Sequence, residues 1–148
     1  MRKVKELFVG KRKVDEVIMH CAATPDAGPE NQRWFNLDIK EIDRWHKQRG
    51  WRGVGYHYFI KRDGTLQKGR AEGTSGAHTR GKNHQIGVCY AGTKRPTDAQ
   101  KATMRMLAQD IRDRLGISPL DWRCHYEFAN KACPGFTREK LHEILLGD

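Results

Sequence analysis

Apolar positions in this 148-residue chain repeat with two periods. One is short, dense and β-branched. "KVDEVIMHC" reads as a buried strand ending at His20, and "IGVCYAG" as a second. "VGYHYFI", Val54 to Ile60, reads as a third. Asp63-Gly64 then makes a tight turn into "TLQKGR", a fourth strand and a hairpin partner. "DWRCHYE" has room for one more short strand. The other period is helical. In "DIKEIDRWHKQRG", Ile39, Ile42 and Trp45 recur at three-residue intervals, Asp38 and Glu41 have capping-box spacing, and Gly50 supplies a stop. "TDAQKATMRMLAQDIRDRLG" carries the clearest helical stripe, Met104, Leu107, Ala108, Ile111 and Leu115. Thr97 and Gln100 open it and Gly116 closes it. Thr137 to Leu146 reads as a short closing helix. "ATPDAGPENQRWFN" and "AEGTSGAHTRGKNHQ" carry the Pro and Gly signals of loops. The order predicts a single α/β domain with a mixed central β-sheet flanked by helices. Residues 1–13 form a basic lead-in, and 14–148 the domain.

Composition narrows the class. Hydrophobic residues at 37% and charged residues at 31% suit a soluble globular domain that buries a core without staples. No run approaches the roughly 20 apolar residues of a membrane span. The basic start lacks the apolar stretch of a secretory signal, so the expectation is synthesis and retention in a cytoplasm unless something else releases the chain. A net charge of +10 favours anionic partners: nucleic acid, membrane or cell-wall polymer. No aromatic-basic cluster or reading helix supports nucleic acid, so none is expected. Four cysteines without a C-x-x-C pair point to thiols or metal ligands rather than a disulfide framework.

The chemistry concentrates in "CHYEFANKACPGF". This stretch brings Cys124, His125, Lys131 and Cys133 into thirteen residues. A disulfide, a structural metal, a reactive thiol and half of an active site are all open on these residues alone. His20, the last polar residue of an apolar strand, adds a third candidate metal ligand to His125 and Cys133. A catalytic zinc site often takes three such ligands and keeps one position open. Spacing does not decide the matter, because buried or solvated histidines and an inert thiol fit it too. Lys131 could stabilise an oxyanion or be a surface lysine. Tyr56 could bind a water or pack in the core. His46 and His142 lie beside charged helix residues and are expected to be solvated. His57 points to the face opposite Tyr56.

Three ordered motifs, "GVGYHYFIKRDGTLQKGR", "GAHTRGKNHQIGVCYAG" and "CHYEFANKACPGF", resemble the zinc-dependent N-acetylmuramoyl-L-alanine amidases. That superfamily includes the peptidoglycan recognition proteins and the small phage lysozyme-amidases. The resemblance runs from about Val17 to Phe136, and the "RWHKQRGW" helix end is most similar to phage-type members. It implies zinc held by His20, His125 and Cys133, catalytic roles for Tyr56 and Lys131, and a cleft-lining, substrate-binding place for His78. It leaves Cys124 with packing alone. The chain departs from phage-type relatives at "NHQIG", which is one residue shorter, and at the longer loop from Thr24 to Asn36.

The implied reaction is hydrolysis of the amide between N-acetylmuramic acid and L-alanine in peptidoglycan. The implied setting is endolysin-like: a phage or prophage monomer acting on the bacterial wall after release. A cytoplasmic muropeptide-recycling amidase is the alternative location. A non-catalytic peptidoglycan-binding protein is the alternative function, and Cys133 argues against it because such receptors lose that ligand.

Overall fold

The computed structural model describes residues 8–9, 12–26, 28 and 31–147. Most of the basic lead-in, residues 1–7, 10 and 11, lies outside the described residues, as do 27, 29 and 30 of the long loop. The rest of the lead-in pairs β1 (Phe8–Val9) with β2 (Arg12–Lys13) in an antiparallel ribbon.

A five-stranded mixed sheet organises the domain. It consists of β3 (Val17–Cys21), β4 (Tyr58–Ile60), β5 (Leu66–Lys68), β6 (Ile86–Tyr90) and β7 (Trp122–Cys124), in the order β5-β4-β6-β3-β7. The strands from β4 to β7 in that order run parallel, and β5 is antiparallel to β4 at one edge. The expected strand from Val54 pairs regularly only from Tyr58. Its earlier residues still bond across, with the His57 N–H donating to Gly87 O at 2.9 Å. The central strands β3 and β6 are buried along their whole length, which explains their unbroken apolar runs.

Period-2 alternation sends the two sets of side chains to two cores. Val17, Met19, Ile86, Val88 and Tyr90 meet α3 (Asp98–Leu115) and α4 (Arg138–Leu146) on one face. Met104, Leu107, Ala108 and Ile111 of α3 are buried there as the stripe predicted, and each large one contributes about 1.5–3 kcal/mol of burial. Leu115 is half-buried at the end of the stripe. Thr97 and Gln100 make the reciprocal capping box, and Gly116 ends the helix in a left-handed conformation. On the other face Phe59, Cys89 and Ala91 pack with Leu37 and with Ile42 of α2 (Ile39–Gln48).

The Asp38 cap of α2 forms only half its box. Its side chain accepts from the Glu41 N–H at 3.2 Å, while the Glu41 carboxylate turns to Arg44. The long loop is also not irregular throughout, because Gln32–Phe35 makes one helical turn, α1.

Two histidines differ from expectation. His46 is 5 % exposed, and its Nδ1 accepts from the Gly55 N–H at 2.9 Å. The segment after Gly50 folds back over the helix end and covers the ring. Burial, with the charges of Arg49 and Arg70, lowers its pKa to about 4. His142 is half-buried, with Nε2 3.0 Å from Trp122 O.

Candidate metal centre and active site

The site forms where the parallel strands end. His20 occupies the next-to-last position of β3, and His125 opens a 3₁₀ turn directly after β7, the neighbouring strand. Parallel pairing thus brings together two histidines 105 positions apart, with their Nδ1 atoms at 3.1 Å. Cys133 returns to them through its own loop. The Tyr126 N–H donates to Cys133 O at 2.9 Å, closing residues 126–133 into a ring. The Cys21 N–H donates to Cys133 Sγ at 3.0 Å, and Tyr90 Oη donates to Pro134 O at 2.7 Å. One donor atom from each of His20, His125 and Cys133 lies within 4.8 Å of the other two.

Behind His20 the hydrogen bonds fix which nitrogen faces the site. The Gln85 carbonyl can only accept, so His78 Nε2, at 2.9 Å, carries that ring's proton. His78 Nδ1 is then an acceptor, which favours the tautomer of His20 with its proton on Nε2, 3.2 Å away. Thr79 Oγ1 bridges the same pair, at 2.9 Å from His78 Nδ1 and 3.2 Å from His20 Nε2. The His20 Nδ1 lone pair is thereby left facing His125 and Cys133.

His78 is nearly buried, at 9 % exposed. It backs His20, where the motif had implied a position lining the cleft. A glycine in mid-strand makes room for it, since a Cβ on Gly87 would stand 2.5 Å from His78 Cδ2. Asn83 has a structural task in the loop before β6: its Oδ1 accepts from the N–H groups of His78 at 2.7 Å and Thr79 at 2.8 Å. Thr79 and Gln85 were not singled out in the sequence. Their contribution is a bond to a ring nitrogen, which no residue pattern displays.

The electrostatics favour neutral imidazoles. Burial, reinforced by His78, His125 and Lys131, holds the His20 pKa well below the usual value. Burial and the Lys131 charge lower that of His125. The adjoining Cys21 thiol and burial push the Cys133 thiol up, while the Cys21 N–H acts in the opposite sense. A bound cation would supply the charge that stabilises a Cys133 thiolate. Donors held at roughly 2.0–2.3 Å around a tetrahedral centre stand about 3.3–3.6 Å apart, so a pair at 3.1 Å and a trio within 4.8 Å fit zinc with small adjustments.

The two other motif residues flank this trio. The Tyr56 ring lies 5.1 Å from that of His20, and burial raises its pKa well above the usual tyrosine value. Its hydroxyl is therefore a donor at neutral pH. Lys131 is exposed and close enough for its charge to act on both histidines. With Tyr126, Asn130 and Phe136 it lines a hollow of about 430 Å³. Cys124 is fully buried in the core, facing α4, and takes no part.

The end of a parallel sheet that gathers two histidines and a cysteine, with a tyrosine and a lysine beside them, defines a candidate metallohydrolase. The family profile described as N-acetylmuramoyl-L-alanine amidase matches residues 10–136, and the chain belongs to that family. It is similar to the endolysin of Escherichia phage T7, with 37% identity over 145 residues covering 92% of this chain and 90% of the relative. Among solved structures it resembles the N-acetylmuramoyl-L-alanine amidase LysC from Clostridium intestinale, with a TM-score of 0.75 and 26% identity over 95% of this chain and 87% of that one. It also resembles peptidoglycan recognition protein LE in complex with tracheal cytotoxin, with a TM-score of 0.73 and 25% identity over 89% of this chain and 81% of that one. The chain is thus an amidase of this family, with the mixed-sheet fold that the sequence motifs implied.

Proposed function

We propose that the protein is a zinc-dependent endolysin. It hydrolyses the amide between N-acetylmuramic acid and L-alanine in peptidoglycan. The convergence of His20, His125 and Cys133 carries this reading. Zinc there would supply a Lewis acid that brings the pKa of a bound water from 15.7 toward about 7.

The chain's own residues take the remaining roles. His20 and His125 offer neutral nitrogens, and His78, backed by Gln85, holds the His20 ring in the binding tautomer. Lys131 places a cation where negative charge develops on the amide oxygen. Tyr56 donates its hydroxyl proton in a hydrogen bond to the water or to the tetrahedral species. The substrate is bacterial peptidoglycan, and the site of action is the cell wall after release. A +10 charge suits that anionic polymer.

Mass spectrometry of digested peptidoglycan tests the proposal. Free stem peptides that disappear on chelation and return with zinc are the expected products. Cut glycan chains would overturn it. Cys133→Ser should lose both zinc and turnover, and a variant that keeps full zinc occupancy and activity would remove Cys133 from the ligand set.

A further inference from the structure

Beyond the hollow that holds Lys131 lies a second, cationic notch. Phe136 walls both. The notch has a volume of about 210 Å³ and is lined by Lys94, Arg95, Pro96, Lys101, Phe136, Lys140 and Ile144. Among the described residues no carboxylate pairs with the side chains of Lys94, Arg95 or Lys101. Lys140 only approaches Glu143, at 3.9 Å, with both groups at least half exposed.

Four cations that line one small notch repel one another. Two of them oppose local helix electrostatics: Lys101 lies in the opening turn region of α3 and Lys140 in the first turn of α4, where the helix dipole disfavours positive charge. Asp98 and Glu139 share those first turns, but neither pairs with Lys94, Arg95, Lys101 or Lys140 among the described residues.

The loop presenting Lys94 and Arg95 is held in place. Asp26 Oδ1 accepts from the N–H groups of Thr93 at 2.8 Å and Arg95 at 3.2 Å. The buried Arg62 guanidinium donates to Arg95 O at 3.0 Å. Gly135, two residues past Cys133, packs directly on this loop. The notch is therefore built against the segment that carries a proposed metal ligand.

We propose that this notch is an oxyanion subsite for the wall polymer beyond the unit being cut. It binds a carboxylate of a neighbouring stem peptide or a phosphate of an attached polymer. The proposal rests on the amidase reading for the identity of the polymer. Occupancy would anchor the enzyme on polymeric wall without touching the scissile amide.

The test uses zinc-loaded protein and a Lys94→Gln/Arg95→Gln/Lys101→Gln variant. A Lys40→Gln/Arg52→Gln/Lys68→Gln variant removes the same charge from exposed positions elsewhere. Co-sedimentation on ice is measured with sacculi stripped of phosphate polymers and with sacculi that carry them, while turnover is measured on a soluble muramyl peptide. The notch variant should bind roughly tenfold more weakly than the charge control, with a shallower salt dependence and unchanged turnover of the soluble substrate. A deficit on stripped sacculi identifies carboxylate as the ligand, and one confined to phosphate-bearing sacculi identifies phosphate. Equal binding by the notch variant and the charge control on both materials overturns the subsite. Absence of soluble-substrate turnover in the wild type would instead overturn the amidase reading, and co-sedimentation would still score the notch.

Discussion

Burial of His46 makes stability fall with acid in a way that one substitution isolates. Its pKa is about 4 in the fold against an ordinary 6.5. Above about pH 6.5 both folded and unfolded chains hold it neutral. Between those two values the unfolded chain takes up a proton that the fold excludes, so stability drops as pH falls and levels off below about 4. At 1.36 kcal/mol per unit the full window amounts to about 3 kcal/mol, of which about 2 kcal/mol is lost by pH 5. His46→Gln keeps an oxygen that can accept the Gly55 N–H and does not titrate. It gives up the ring contacts with Trp51 at 4.5 Å and Tyr56 at 5.5 Å, so it starts less stable at pH 7. Urea unfolding at pH 7, 6 and 5, with metal chelated throughout, compares the two slopes. The acid response of the other histidines is common to both proteins and cancels. The wild type should lose about 2 kcal/mol more than the variant between pH 7 and 5. Parallel losses would refute the assignment of His46 as a buried neutral base.

Other outcomes follow from the same geometry. Lys131→Ala should lower turnover roughly 100-fold while zinc still binds, and near-normal turnover would remove it from the chemistry. Tyr56→Phe should retain zinc and lose turnover, since only the hydroxyl is deleted; unchanged kcat would leave Tyr56 a packing residue. Gly135→Ala places a Cβ 2.1 Å from Thr93 O at a φ of +93°. Thermal unfolding should show a loss of about 2 kcal/mol or more, and zinc titration a weaker affinity, because the Cys133 loop must shift.

Local patterns foretold the elements well where a single helix or strand decides its own fate. The Thr97–Gln100 box, the Met104–Ile111 stripe and the Asp63-Gly64 turn all depend on neighbours a few positions away. The metal trio does not. Eight positions separate His125 from Cys133 (133 − 125), and only the Tyr126-to-Cys133 backbone bond folds that interval shut. Motif order pointed to these residues where spacing could not. His46 offered a signal that was passed over: it stands one helical turn after buried Ile42, on the apolar side of α2. Its charged neighbours suggested water, but the returning chain after Gly50 covered it. The sequence named His78 but not its backing of His20, and it did not single out Gln85, since their work is to settle a proton between a strand histidine and a loop histidine.

The 105 positions between His20 and His125 also make the site a clasp on the whole chain. His20 comes from central strand β3 and His125 from the turn after the adjacent edge strand β7, near opposite ends of the sequence, so no fragment lacking either end can assemble it. An ion captured there would stabilise the global fold by mass action. At a free concentration a thousand times its dissociation constant, the gain is about 4 kcal/mol. The melting temperature would then serve as a gauge of metal occupancy, readable without any substrate.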